Sequence, residues 1–91
     1  MKVKVQVLLS AQPTAKHEQE IRSAALKFAG SEQAIVIPDL EADVAAKNNM
    51  MVVGFPIAEA ATQADLVSEI FNSFESTMSN FVDATIYFSN D

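Results

Sequence analysis

Residues 2–10 alternate between apolar and polar side chains. Val3, Val5, Val7 and Leu9 share one parity, and Lys2, Lys4, Gln6 and Ser10 the other, with Leu8 the exception. Successive side chains of a strand point to opposite faces, so the pattern predicts a half-buried strand with one wet face. A second alternation closes the chain, where Val82, Ala84, Ile86 and Phe88 interleave with Asp83, Thr85, Tyr87 and Ser89. Between these strands the period lengthens twice. Ile21, Ala24, Ala25 and Phe28 recur at helical spacing, with Thr14 placed to cap the first turn and Gly30 to end the helix in the left-handed conformation. Leu66, Val67, Ile70, Phe71, Phe74 and Met78 form a longer stripe of the same kind. Thr62 and Asp65 stand in capping-box positions ahead of it, and Asn80 is its left-handed stop.

Two further segments are apolar on both faces. Residues 33–38 are a β-branched run ended by Pro38, and residues 50–55 read Met-Met-Val-Val-Gly-Phe. A glycine inside a strand, here Gly54, suggests a bulge or a close backbone approach. Residues 39–49 fit either a helical turn through Leu40 and Val44 or, the preferred reading, the arm of a hairpin turned at Asn48-Asn49. The order is β-α-β-β-α-β over a single domain, residues 1–91. It predicts an α+β, ferredoxin-like sandwich: a four-stranded antiparallel sheet in the order 4-1-3-2, with both helices on one face. Val5 and Ile86 should pack on Ile21, Phe28, Ile70 and Phe74. A parallel α/β arrangement would need a crossover helix in residues 39–47.

Composition narrows the function. The 91 residues contain no cysteine and one histidine, which removes disulfides, thiolate chemistry and a Cys/His metal cluster. Metal and cofactor sites are therefore expected to be absent. No apolar run approaches membrane-spanning length and no secretory leader is visible, so the expected location is the cytoplasm. Net charge is −6, but it is unevenly spread. Residues 1–29 carry five basic and two acidic side chains (+3), and residues 30–91 carry one basic and ten acidic (−9). An acidic chain of this kind lacks the basic face that direct nucleic-acid binding requires.

Local motifs are weak. His17 lies on the inward stripe of the first helix, where a general base would need an oriented partner that the sequence does not reveal. Asp39, Glu41 and Asp43 have the spacing of a calcium loop without its turn glycine or terminal glutamate. Phosphate-binding and nucleophile-elbow motifs need glycines this chain does not have. The element order is similar to that of ligand-binding ACT-type regulatory domains. Those often carry a glycine in the turn after the first strand, where this chain has Ala11-Gln12-Pro13, so the similarity is one of fold.

The expected function is a small, acidic, non-enzymatic interaction domain, homodimeric through the open sheet face or bound to another protein. The candidate interface comprises Ile35, Val36, Ile37, Met50, Met51, Val52, Val53 and Phe55, because the two doubly apolar strands must turn some of these outward. Parity leaves open which set faces out. One alternative is an acidic inhibitor or nucleic-acid mimic that presents Glu59, Asp65, Glu69 and Glu75 to a basic site. The other is a small-ligand-binding regulatory domain.

Overall fold

Strand β1 (Lys2–Leu9) runs down the middle of a three-stranded antiparallel sheet, between β2 (Met50–Pro56) and β3 (Phe81–Ser89). Among the described residues of the computed structural model, the other elements are helix α1 (Ala15–Ala29), a short 3-10 turn (Glu32–Ala34) and helix α2 (Gln63–Thr77). The structure describes residues 1–38, 49–57 and 63–89. The readings of residues 39–48 and the capping role of Thr62 fall outside that set.

Pairing settles the parity that the sequence leaves open. Val3, Val5 and Val7 sit opposite Phe55, Val53 and Met51 on one side, and opposite Phe88, Ile86 and Ala84 on the other. Directly paired residues point to the same face, so these rows form the inner face of the sheet. Both helices cover it: Ile21, Ala24 and Ala25 of α1 and Leu66, Ile70 and Phe74 of α2 join the same buried cluster. Phe55 bridges the layers, its ring stacked 6.1 Å from Phe28 and 6.5 Å from Phe74. Where α1 meets α2 the side chains are small, and the Ser73 hydroxyl donates to the Ala24 carbonyl at 3.2 Å. The expected core is present, with Phe28 and Ile86 half-buried at its margins.

The caps are where their residue types require. Thr14 caps α1, Gly30 ends it at φ 78°, and Asn80 takes φ 61° in the turn after α2. Those are the positive angles that glycine and asparagine adopt most cheaply.

The second of the four expected strands is not formed. Residues 32–34 wind into the 3-10 turn, capped by the Ser31 side chain, and of residues 35–38 only Val36 pairs with β2. Val36 and Gly54 exchange two hydrogen bonds, at 2.8 and 2.7 Å. The register explains why pairing stops there. The next hydrogen-bonded pairs in an antiparallel ladder lie two residues away on each side, Pro38 with Val52 and Ala34 with Pro56. Each contains a proline, which has no N–H to give. Gly54 also differs from expectation: the β1–β2 register runs through it without a bulge, and no backbone crowds it.

Phe74 is fully buried at the centre of the core. Replacing it with alanine should cost about 3–5 kcal/mol, measured by chemical denaturation. A variant that unfolds at the parent's denaturant midpoint would contradict this packing.

Candidate functional site

His17 is buried, and both its ring nitrogens are committed. The Thr14 backbone N–H donates to Nδ1 at 3.1 Å, so Nδ1 carries the lone pair and Nε2 the proton. The Thr14 hydroxyl also reaches Nδ1, at 3.0 Å. On the other side Nε2 meets Asn80 Oδ1 at 3.1 Å. Histidine here takes the place of the usual glutamate in a capping box and ties α1 to the turn before β3. One helical turn on, Glu20 accepts from the Ser79 backbone N–H and from the Ser79 hydroxyl, both at 2.9 Å. The backbone bond from Ser79 is the main reason the Glu20 carboxyl is held below its ordinary range; it outweighs the opposing effect of burial. Together these contacts form a polar brace in which both ring nitrogens of His17 are hydrogen-bonded.

The outer sheet face has a different character. Side chains there fall into rows across the strands: Pro56–Lys2–Ser89, Val36–Gly54–Lys4–Tyr87, Val52–Gln6–Thr85 and Met50–Leu8–Asp83. The second row has a gap, because Gly54 has no side chain between Val36 and Lys4. Around that gap lies a trough of about 660 Å³, walled by Val36 and Pro38 on one flank and by Lys2, Lys4 and Tyr87 on the other. Val52 and Pro56 border it along β2. A methyl group added at Gly54 would come no closer than 3.8 Å to the Val3 carbonyl oxygen and 3.9 Å to that of Val36, both ordinary contacts. Backbone geometry therefore does not demand glycine at this position. Its absent side chain makes room.

Among the described residues neither Lys2 nor Lys4 has a carboxylate partner. The Tyr87 hydroxyl donates to Gln6 Oε1 at 3.5 Å, and the Gln6 amide reaches the Met50 sulfur at 3.6 Å. The trough thus has an apolar floor and wall with two ammonium groups along one rim.

No family model, curated protein or solved structure matches this chain. What the site can do has to be read from its own chemistry.

The eight residues expected at an interface are split by the pairing. Ile35, Met51, Val53 and Phe55 are buried among the helices, and Ile37 packs at the edge of that core. Val36, Met50 and Val52 face outward, but Val52 is only 6 % exposed and Met50 half-buried, leaving Val36 at 60 % as the exposed member. Asp65, Glu69 and Glu75 are exposed on α2; Glu59 lies outside the described residues. Asp65 and Glu69 are one turn apart and share a stripe, and Glu75 is six positions from Glu69, roughly 120° around the helix. Asp39, Glu41 and Asp43 also lie outside the described residues, and no cluster of metal-ligating side chains occurs among the residues described. In the sequence Lys2, Lys4 and Tyr87 mark only the polar parity of the first and last strands. The gap at Gly54 was their one signal, and it becomes visible only once the register places Val36 and Lys4 on either side.

Two outcomes test the brace. Asn80→Gly keeps the left-handed backbone but removes the acceptor for His17 Nε2–H, which should cost about 1–2 kcal/mol by denaturant unfolding. Because the Glu20 pKa is lowered on folding, its carboxylate stabilises the fold above the ordinary carboxylate range. That contribution is lost as pH falls through the folded value. Glu20→Gln should therefore melt below the parent at pH 7, and the gap should close on acidification to about pH 3. A gap that persists or widens in acid would show that the Ser79 contacts do not hold Glu20 ionised.

Proposed function

We propose that this domain is a non-catalytic binding module whose outer sheet face takes a small amphipathic carboxylate. The reading rests on one observation: a mostly apolar trough lies over a glycine that the backbone does not need, and its rim carries two lysines with no carboxylate partner among the described residues. Pockets for small ligands are concave and largely apolar, with a few polar groups to fix orientation, and a volume near 660 Å³ lies in their usual range. Lys2 and Lys4 are two residues apart on one face of β1, so their stems leave the sheet about 7 Å from each other. That spacing lets both ammonium groups approach the two oxygens of one carboxylate. An apolar tail would then lie along Gly54 toward Val36 and Pro38. The protein is acidic overall, so this basic rim contrasts with its surroundings and gives the ligand a preferred orientation.

The architecture agrees with such a role. We read the fold as a ferredoxin-like sandwich in which the second strand is reduced to the Val36–Gly54 bridge, shortened by Pro38 and Pro56. Both helices sit on one face of such a sheet, which leaves the other for binding. The shortened strand turns what would be a flat wall into the open side of a trough.

The test is a titration with octanoate, decanoate and, as an uncharged control, decanol, followed by calorimetry and thermal shift. Decanoate should bind and raise the melting temperature, and decanol should bind more weakly. Lys4→Gln should reduce decanoate affinity about five-fold, consistent with one solvent-exposed ion pair. Gly54→Leu fills the trough, and it should abolish binding while the variant melts at or above the parent temperature, since leucine suits a strand better than glycine. Equal binding of decanoate by the parent and Gly54→Leu would defeat the proposal, as would no binding by the parent.

A further inference from the structure

The two edges of the sheet are finished differently. At β2 the outward N–H and carbonyl of Gly54 are bonded to Val36, Pro56 has no N–H to offer, and Pro38 has none to give to Val52 opposite it. Strand β3 has no such closure. Its sequence, Phe81–Ser89, contains no proline, glycine or lysine, and its one charge, Asp83, points outward. Among the described residues nothing pairs with its far side.

The phase of the ladder shows which groups are free. The N–H and carbonyl of Gly54 are bonded to Val36, so those of its β1 partner Lys4 turn toward Tyr87 of β3. Alternation then directs the main-chain groups of Ala84, Ile86 and Phe88 to the open edge. The Ala84 N–H confirms this phase: it turns back to its neighbour's side chain, Asp83 Oδ1, at 2.9 Å.

The inner side chains at this edge are also incompletely covered. Ala84, Ile86 and Phe88 are half-buried, whereas Val3, Val5 and Val7 beside them are at most 2 % exposed. Above them α2 turns Val67 and Phe71 to the flank opposite its α1 contact, and Val67 is 39 % exposed.

We infer that β3 pairs antiparallel with β3 of a second copy about a two-fold axis at Ile86, joining two sheets into one of six strands. Regular pairing on β1 begins beyond the irregularity at Val82, so the bulge-free span is Asp83–Ser89, and Ile86 is its midpoint. In that register Ile86 meets the Ile86 of the partner subunit, and Phe88 meets the small Ala84 of the partner subunit. About six main-chain hydrogen bonds form across the seam. Charge agrees as well: Asp83 lies opposite the partner's Ser89, and the partner's Lys2 is one strand further on the same face. The arrangement is isologous, so each contact occurs twice. It does not rest on the proposed ligand, and the trough remains open.

Sedimentation equilibrium of the unmodified chain tests the association, and two variants test its geometry. The parent should populate a dimer at high micromolar concentration; a monomer throughout overturns the inference. Ile86→Pro removes an N–H that faces the edge rather than β1, so it should give a folded monomer by circular dichroism and sedimentation. A folded variant that still dimerises like the parent overturns edge pairing. The double variant Thr85→Cys, Tyr87→Cys reports the register even if the proline variant fails to fold. Thr85 and the partner's Tyr87 would form a non-hydrogen-bonded pair with Cα atoms about 4.5 Å apart, within reach of a disulfide. Mild oxidation of this otherwise cysteine-free chain should give a covalent dimer closed by two bridges; a product that stays monomeric overturns the register.

Discussion

Every layer of this protein is organised by the hydrogen-bonding phase of one strand. β1 is paired along both edges and covered on one face, and its four inner side chains, Val3, Val5, Val7 and Leu9, are at most 2 % exposed. A slip of one residue would turn all four into water and bring lysines under the helices, so the register is strongly specified. The same phase determines which groups of β2 and β3 look outward. It gives Gly54 to Val36 on one side and, on the other, turns the main-chain groups of Ile86 to an edge with no paired strand among the described residues. The trough and the open edge are therefore two consequences of one alternation rather than separate features.

The sequence was most legible where one periodicity acted alone. Strands β1 and β3, both helical stripes and the left-handed stops at Gly30 and Asn80 were all readable because each needed only local chemistry. Residues 33–38 and 50–55 were harder, because a run that is apolar on both faces carries no parity. The missing strand shows the limit well. Pro38 was visible as a strand end, but its effect depends on register, since Pro56 blocks the other side of the same bridge only when Val36 faces Gly54. Two prolines far apart in the chain combined to do what neither announced alone.

His17 shows a second limit. Its position on the inward stripe was clear, whereas its partner Asn80 is 63 residues away and had already been given a role as a helix stop. One asparagine does both jobs, with its backbone in the left-handed region and its side chain closing the brace. Buried polar groups of this sort add modest net stability but penalise any packing that leaves them unmatched. In so small a domain the brace fixes how the first helix meets the last turn, where apolar contacts alone would permit sliding.

Lys2 pairs with both Pro56 and Ser89, so β1, which is made before either of its partners, is completed only once β3 has been made. Contacts this distant in the chain are expensive in loop entropy, and folds rich in them form slowly for their size. During synthesis β1 emerges with two unsatisfied edges and an apolar face, and it must stay uncommitted until β2 and then β3 appear. Its lysines at positions 2 and 4 discourage premature strand pairing in that interval. The charges on the rim of the trough thus guard the nascent chain before they border anything at all.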